Sequence, residues 1–379
     1  MYNNIKIDIQ EFIRYHPGGP DILRHYINKD ITEIIDVLHP NITKVHDILK
    51  KLSKNTVLIK DTKYIQLKNK ILQQEPDIFV FDNFYIIREV IISVCCYFFH
   101  ILFLIFNPYM SCIIYALGIN RTLYIGHDTT HKNVSKYVQN MCQYVLLLYP
   151  FSLTRWYDRH ITHHAMTNVK NIDTDHKSHK MVAKCRKILC YVLTDTISSY
   201  TTLTLGFVLH LYAWRLSGII YAIRKHCYIE VLFFAIHYLS IIYFLSVFNI
   251  QIYTYIYVIT IGQFIGGGFM ALVNILSHNG SIPYLSSSDK LDNFVELQLK
   301  TTRDLSGSNI FQYFAGGLHL QVEHHIFPFV SRNKLYKLRK YIIEYCLDNK
   351  LKFNECSFLD AIPLYFNGTP NVDDLLQDA

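Results

Sequence analysis

The sequence lacks the features that mark disulfide-stapled, secreted and nucleic-acid-binding proteins. Its nine cysteines are odd in number and form no CxxC pair, so we expect reduced thiols rather than a disulfide framework. The N-terminal residues MYNNIKIDIQEF are polar, so no cleavable signal peptide is expected. No stretch resembles a nucleic-acid-binding module, and the net charge of +7 fits an anionic membrane surface as well as a nucleic acid.

Charged residues are also missing from long parts of a chain that is 51% hydrophobic and 15% aromatic. Between residues 90 and 120 there is no Asp, Glu, Lys or Arg. Because a membrane-spanning helix needs roughly 20 apolar residues, this composition predicts an integral membrane protein. The predicted spans lie near residues 89–107, 109–126, 229–248 and 251–276, with turns at Asn107 and Asn249.

Three groups of histidines lie beside these apolar segments. A single histidine pair on a helix is more often a hydrogen-bonded surface or core feature than a ligand set. Three groups with ligand-like spacing have no reason to gather for packing alone, so they predict a metal centre. One tetrahedral zinc binds only four ligands, so this many imidazoles predicts two metal ions. Imidazole ligands are compatible with zinc, copper, nickel or iron, and iron is favoured if the reaction uses oxygen. The groups are His127 and His131, then His160, His163 and His164, then His324 and His325.

The order of the spans predicts that these groups meet on one side of the membrane. If the spans form two hairpins, the residues after the second and fourth spans emerge together. Basic residues crowd that side, so it is predicted to be cytosolic. Asn274 and His278, one turn apart at the end of the last span, are further candidate ligands, or alternatively a helix cap or interhelical hydrogen bond. The stretches 138–153 and 188–214 are predicted to lie at the membrane surface, the first as an interfacial or re-entrant segment.

The N-terminal segment carries a separate signal. A strand-like run over residues 5–15 precedes the motif HPGG, which begins at His16, and His39 follows a helix-like stretch over residues 20–38. Histidines held on two loops can ligate a haem iron from both sides. The alternative is a small helical cap with surface histidines. Residues 53–82 are polar and rich in lysine, which predicts a linker that approaches the membrane.

Taken in order, the motifs HxxxH, HxxHH and QxxHH, interleaved with two membrane hairpins, resemble those of the membrane fatty acid desaturases. The HPGG motif resembles the haem-binding core of a cytochrome b5 domain, and with Gln321 at the head of the third motif it resembles the front-end desaturases. Only fifteen residues precede His16, so a shortened haem domain is expected. Phe294 stands where these proteins often have Trp. Further matches are Asp128, Trp156, Thr167, Asn168, Asp173, Asp175 and the runs 316–318 and 325–328.

The resemblance implies a fold. It is an all-α integral membrane protein in which two transmembrane helical hairpins carry a cytosolic, histidine-rich di-iron site, preceded by a small, shortened cytochrome b5-like α+β segment. On this basis the chain divides into the haem segment 1–52, a linker 53–82, a desaturase domain 83–345 and a C-terminal cytosolic tail 346–379. The expected location is the endoplasmic reticulum, with the active site on its cytosolic face.

The resemblance also implies which residues carry the chemistry. Imidazoles would hold two iron ions, with Gln321 and Asn274 as weaker or water-mediated ligands. The carboxylates of Asp173, Asp175 and Glu323 would accept ring N–H groups and so orient the imidazoles. The implied iron ligands are His127, His131, His160, His163, His164, His278, His324 and His325, and all of these except His278 are implied to be catalytic.

The implied reaction consumes dioxygen and two electrons and forms a cis double bond between the carboxyl end and an existing double bond of an acyl chain. Electrons would come from a cytochrome b5 reductase, through haem b bound by His16 and His39 or through a separate cytochrome b5. The substrate would be a fatty acyl-CoA or an acyl-phospholipid in the membrane, and no nucleic acid is involved. The alternatives are a sphingolipid desaturase, an iron-dependent lipid hydroxylase and a non-catalytic membrane haem or metal protein.

Overall fold

The computed structural model describes residues 13, 16, 21–27, 31–39, 45, 47–49, 62–131, 134–175, 212, 214–286 and 293–367. Two sequence predictions fall almost entirely outside these residues. One is the strand-like run at 5–15, and the other is the membrane-surface segment at 188–214. The end of the predicted C-terminal tail, from residue 368, also lies outside them.

The described residues are mainly helical, as the sequence predicts. The N-terminal part contains α1 (Asp21–His25), α2 (Thr32–Leu38) and α3 (Lys63–Gln74). The central part contains α4 (Asn83–Phe106), α5 (Pro108–Thr130), α6 (Lys136–Leu148), α7 (Leu153–Ala165), helical residues 214–224, α8 (Tyr228–Val247) and α9 (Ile252–His278). The C-terminal part contains α10 (Phe294–Thr301), β1 (Asp304–Ser306), α11 (Asn309–Ala315), α12 (Gln321–Ile326), a 3-10 turn (Arg332–Lys334), α13 (Leu335–Asp348), β2 (Glu355–Ser357) and α14 (Phe358–Asn367). Strands β1 and β2 pair in parallel.

Helices α4 and α5 form one hairpin, and α8 and α9 form the other. The first turns at Asn107, whose side-chain oxygen accepts the backbone N–H groups of Tyr109 and Met110 at 3.1 Å each. Pro108 begins the next helix, where its fixed φ suits the first helical position. The second hairpin turns at Asn249, which has a φ of 56°, a left-handed conformation that asparagine tolerates. The two predicted hairpins and their turns are confirmed.

Three of the described helices, α4, α8 and α9, are long and apolar enough to cross a membrane. Helix α5 is not among them, although the sequence predicts a span near 109–126, because it carries Asn120 and Arg121. Both side chains are 2% exposed and bond inside the protein, Asn120 to the Gly266 carbonyl at 3.4 Å and Arg121 to Glu89 at 3.3 Å. A helix enclosed by its neighbours can carry polar groups that a lipid-facing helix cannot.

Helices α5 and α9 cross at close range. A Cβ atom on Gly266 would lie 2.0 Å from the carbonyl oxygen of Ala116, and one on Gly262 would lie 2.8 Å from that of Cys112. Glycines at a crossing let two helix backbones approach closely. Because α5 ends with the first histidine group and α9 ends at His278, this crossing brings two candidate ligand-bearing helix ends together.

Part of the predicted linker 53–82 is an ordered helix. In α3, Tyr64, Leu67 and Ile71 recur at helical spacing and are buried on one face. The ring of Tyr64 lies 5.3 Å from that of Phe327, which follows the third histidine group. The apolar face of α3 therefore packs on the part of the chain that presents histidines.

The N-terminal segment contacts α7 directly after the second histidine group, and also the start of α10. The Tyr26 hydroxyl donates to the carbonyl of Ala165, the residue directly after His164, at 2.9 Å. The Glu33 carboxylate accepts the backbone N–H of Phe294, at the start of α10, at 2.6 Å. A carboxylate at a helix N-terminus satisfies an otherwise unpaired N–H and complements the helix dipole. These contacts hold the segment against α7 and α10.

Candidate metal centre

The second histidine group is presented by α7, whose start is anchored by a partly buried hydrogen-bond network. The hydroxyl of Ser152 accepts the backbone N–H of Arg155 at 3.2 Å and caps the helix. Glu230, at the start of α8, accepts from the Ser152 hydroxyl at 2.9 Å and from the backbone N–H of Thr154 at 2.8 Å. The helix is thereby tied to the second hairpin before its histidines begin.

The third group is presented by the six-residue helix α12. Its Val322 N–H donates to the Asp304 carboxylate at 2.9 Å, and Arg339 donates to the other oxygen of Asp304 at 2.6 Å. So short a helix is not stable alone, so the position of its two histidines depends on these contacts from β1 and α13. Both histidines, His324 and His325, are 1% exposed.

The structure brings five histidines from the three sequence groups into one cluster, which we call the five-histidine cluster. Their ring nitrogens lie within 4.8 Å of one another, a spacing that could hold a metal ion. Four pairs of Nε2 atoms are 2.9–3.1 Å apart. All five side chains are buried. The members are His127, His131, His160, His164 and His324.

A second group, the three-histidine cluster, lies beside it and consists of His163, His278 and His325. Its ring centres are 4.6–5.0 Å apart, and the ring of His325 stacks on that of His164 at 4.1 Å, which joins the two clusters. His278 comes from the end of α9, as its predicted position required. Every histidine predicted as a ligand outside the N-terminal segment thus lies in one of two adjacent clusters.

Burial sets the charge of most of these imidazoles. It lowers the pKa of His131, His160 and His164, and neighbouring imidazoles lower each further. The same two causes lower the pKa of His324 and His325. Neutral imidazoles carry a lone pair, and lone pairs directed at one point repel unless a cation lies between them. The donor set therefore fits bound metal ions.

His163 is the exception. Burial opposes its charged form, but the Asp173 carboxylate, 2.9 Å from Nδ1, outweighs burial and raises the pKa of His163 to about 9. Asp173 also accepts the backbone N–H of Asn168 at 2.8 Å and that of Asp175 at 2.9 Å, which holds it in place. The prediction that Asp173 accepts a ring N–H agrees with this geometry.

Two other side chains predicted to accept ring N–H groups make no hydrogen bond to an imidazole of either cluster in the described part of the chain. Asp175 lies 3.8 Å from Nδ1 of His163, which is an ion-pair distance rather than a hydrogen bond. For Glu323 the expectation is wrong, because no described contact joins it to an imidazole. Its carboxylate lies beside Asp304 and 3.7 Å from Arg339, since it leaves α12 on a different face from the histidines.

The acceptors that sequence reasoning missed come from α10. The side-chain oxygen of Gln298 accepts from Nδ1 of His325 at 2.9 Å, and the carbonyl of Thr301 accepts from Nδ1 of His278 at 3.1 Å. Gln298 also donates to the His164 carbonyl at 3.0 Å. An acceptor on Nδ1 directs the Nε2 lone pair toward the cluster. Helix α10 also carries Glu296 and Lys300, so Gln298 has no spacing that distinguishes it in the sequence, and its complete burial becomes visible only in the folded structure.

The two predicted weaker ligands lie side by side. Gln321, the first residue of α12, donates through its side-chain amide to the amide oxygen of Asn274 at 3.1 Å and to the Leu318 carbonyl at 2.9 Å. This contact ties α12 to α9 one turn before His278. Their amides are thereby oriented toward each other, on residues one turn from His278 and three residues from His324.

The predicted haem ligands are also brought together. The ring centres of His16 and His39 are 6.0 Å apart, and Nδ1 of His39 lies 2.9 Å from the Ile35 carbonyl. A metal–imidazole bond is about 2 Å, and the ring centre lies roughly 1 Å behind the nitrogen, so one iron between two imidazoles separates the centres by ~6 Å. The hydrogen bond to Ile35 favours the tautomer whose Nε2 lone pair can bind iron. The residues fit a haem iron.

Comparison with known proteins places these sites in a family. The family model for fatty acid desaturases matches residues 104–357, more than half of the chain. The chain belongs to the fatty acid desaturase family. A second model, for cytochrome b5-like haem/steroid-binding domains, matches residues 6–58 of the desaturase. The two resemblances recognised in the motifs are therefore confirmed.

The desaturase is similar to curated proteins over nearly its whole length. It is 23% identical to the Delta(6)-fatty-acid desaturase fat-3 of Caenorhabditis elegans, across 97% of this chain and 94% of that protein. It is 23% identical to the acyl-lipid (9-3)-desaturase of Physcomitrium patens, across 94% and 72%. It is 24% identical to the Delta(5) fatty acid desaturase A of Dictyostelium discoideum, across 95% and 87%. The desaturase is accordingly a membrane oxidoreductase that uses oxygen.

Proposed function

We propose that this desaturase is a front-end enzyme that inserts a cis double bond between the carboxyl end and an existing double bond of a fatty acyl chain. The observation that carries the proposal is the convergence of eight histidines into two adjacent clusters in a chain that also has a cytochrome b5-like domain. The printed names of its relatives, which include Delta(6) and Delta(5) desaturases, support the front-end class.

Each cluster binds one iron ion in this proposal. The five-histidine cluster supplies five imidazoles, and the three-histidine cluster supplies three, completed by water held by Asn274 and Gln321. Iron bound there supplies an oxidant, made from dioxygen, that can remove hydrogen from an unactivated methylene. Because neutral imidazoles do not cancel the charge of the iron ions, the site stays cationic. The Asp173 carboxylate holds the ring of His163. The buried side chains exclude bulk water from the reacting methylene.

An apolar cavity of about 750 Å³ supports an acyl substrate. Its walls come from α5, α9 and α11, and include Leu117, Phe269 and Phe314. Asn120, also on its wall, lies seven residues before His127 on α5, which is about 10 Å along the helix. An acyl chain whose carboxyl end lies on the cytosolic side of the metals would place its methyl end in this cavity. A double bond close to the carboxyl end requires such a space for the remaining chain.

The electrons enter through the N-terminal segment. We assign haem b to His16 and His39, and a cytochrome b5 reductase, alone or with a separate cytochrome b5, as the source of electrons. The contacts of Tyr26 with Ala165 and of Glu33 with Phe294 support electron transfer within one chain, since they hold the segment beside α7 and α10. The domain boundaries 1–52, 53–82, 83–345 and 346–379, the endoplasmic reticulum location and the cytosolic orientation belong to the same proposal.

The test is to express the protein in yeast fed polyunsaturated fatty acids and to analyse the lipids by gas chromatography with mass spectrometry. We expect a new double bond nearer the carboxyl end, absent with His164→Ala, because that substitution removes a ligand from the five-histidine cluster. The matched control is His226→Ala, which changes an exposed histidine outside both clusters and should keep full activity. A hydroxylated product, or desaturated sphingoid bases alone, would contradict the proposal.

A further inference from the structure

One buried cation links the first and third histidine groups without being a ligand. Arg332 opens the 3-10 turn that follows α12 and is 2% exposed. Its Nε donates to the Asp128 carboxylate at 2.6 Å, and its Nη1 donates to the Gly316 carbonyl. The ring of Tyr124 on α5 lies 4.6 Å beneath the guanidinium. Arg332 therefore contacts α5 and the turn that leads into α12.

The carboxylate bound by Arg332 belongs to the residue next to a cluster histidine. Asp128 follows His127 on α5, and its Oδ1, the oxygen that Arg332 contacts, lies 3.4 Å from Nδ1 of His127. All three side chains are buried. The ion pair thereby fixes the carboxylate that faces the back of the His127 ring, while Nε2 of His127 faces Nε2 of His324 at 2.9 Å.

The turn bound by Arg332 is shaped to admit it. Gly316 and Gly317 have φ values of 58° and 94°, a region that residues with a side chain rarely adopt. A Cβ atom on Gly316 would lie 2.8 Å from Nη1 of Arg332, and one on Gly317 would lie 2.7 Å from the Arg332 carbonyl oxygen. The two glycines thus make room for the arginine at the point where the chain turns toward His324.

We propose that Arg332 is a positioning residue that sets the separation of His127 and His324 and so shapes the five-histidine cluster for its metal. The inference rests on the proposed metal-binding function of that cluster. Arginine suits the task because its planar guanidinium can donate to a carboxylate and to a backbone carbonyl at the same time, whereas a lysine ammonium is a point charge on a flexible stem.

The chain offers a matched control. Arg121 on α5 is equally buried, forms an ion pair with Glu89 at 3.3 Å and donates to the Tyr313 carbonyl at 3.1 Å. It therefore has the same kind of partners, and it also joins α5 to the α11 region. The difference is that Glu89 has no described contact with a histidine of either cluster.

The experiment uses the full-length protein purified in detergent. Wild type is compared with two double variants, Asp128→Asn/Arg332→Met and Glu89→Gln/Arg121→Met. The single variant Arg332→Lys is measured beside them. Each pair removes both charges together, which avoids an unpaired buried charge. Iron affinity at each cluster is measured by chelator competition, the two iron environments by Mössbauer spectroscopy, and the unfolding temperature of the metal-free protein by fluorescence.

We expect the Asp128/Arg332 pair to weaken iron binding at one of two sites by ~10–100-fold and to change one Mössbauer signal, with Arg332→Lys intermediate. The Glu89/Arg121 pair should lower the unfolding temperature and leave both affinities unchanged. Equal iron affinities in all variants would overturn the positioning role, and so would equal losses in both pairs. If the wild-type protein itself binds no iron, the proposed function fails, a result distinct from either of these.

Discussion

The two histidine clusters are built from the same side chain but are held in different ways. In the three-histidine cluster, each imidazole has a hydrogen-bond acceptor behind it, supplied by a carboxylate, an amide or a backbone carbonyl. In the five-histidine cluster, Nδ1 of His164 and Nδ1 of His324 make no hydrogen bond with the described residues. His127 has the Asp128 carboxylate 3.4 Å from Nδ1, and otherwise the imidazoles of this cluster mainly contact one another.

This difference indicates what orients the imidazoles of each cluster. An acceptor on Nδ1 sets the tautomer and the ring orientation before a metal binds. Imidazoles that face one another without such acceptors are oriented by the packing of their helices and by the metal itself. We therefore expect the three-histidine cluster to respond to changes in its acceptors, and the five-histidine cluster to respond to shifts of α5, α7 and α12.

The largest difference in iron affinity between the two clusters should follow from Asp173→Asn. It removes the carboxylate 2.9 Å from Nδ1 of His163, so iron affinity at the three-histidine cluster should fall by ~10–100-fold. The five-histidine cluster should keep its affinity. Chelator competition followed by Mössbauer spectroscopy measures both sites. Asp175→Asn is the control, because Asp175 lies 3.8 Å from His163, and an equal loss in both clusters would break the comparison.

The same substitution has a pH signature in the metal-free protein. The ion pair raises the pKa of His163 from 6.5 to about 9, so its stabilisation is fully present below pH 6.5 and is lost as the pH rises through about 9. The unfolding temperature of Asp173→Asn should therefore fall furthest below that of the wild type at pH 6.5 and lower, and the difference should shrink as the pH rises through about 9. A difference that does not change with pH would contradict this ion pair.

A smaller effect on the same cluster should follow from Gln298→Leu. It removes the nearer of two partners of Nδ1 of His325 and leaves the Thr167 hydroxyl at 3.2 Å, so it should weaken iron binding at the three-histidine cluster by roughly 10-fold, the lower end of the range for such partners. Gln298→Glu keeps the acceptor but loses the N–H donated to the His164 carbonyl, so it should retain most of the affinity. Equal losses in the two variants would assign the role of Gln298 to the carbonyl contact instead.

The smallest difference in iron affinity between the two clusters should follow from Gly266→Ala, which affects both clusters. The added Cβ atom would lie 2.0 Å from the Ala116 carbonyl and push α5 and α9 apart, at a cost of about 1–3 kcal/mol of unfolding free energy. Because α5 carries His127 and α9 carries His278, both iron affinities should fall by similar factors. Gly268→Ala, which meets no atom within 4 Å, is the control for unfolding temperature and iron binding. A loss confined to one cluster would show that the crossing serves only that cluster.

Several features could be predicted from the sequence because their causes are local. Histidines three or four residues apart share a helix face, so the spacing of His127 with His131 and of His160 with His164 already predicted shared ligation. Apolar length predicted the hairpins, and the turns followed from Asn107 and Asn249. Length and composition did not reveal that α5 is enclosed by other helices, or that the predicted linker contains the buried helix α3.

The division of the histidines into two clusters was decided only by the tertiary structure. His163 and His164 are adjacent on α7 but lie in different clusters, because consecutive side chains leave a helix about 100° apart and meet different neighbours. Gln298 and Arg332 had no spacing that distinguished them from other polar residues. They acquire a role because folding places α10 and the 3-10 turn behind His325 and Asp128, contacts that join residues far apart in the chain.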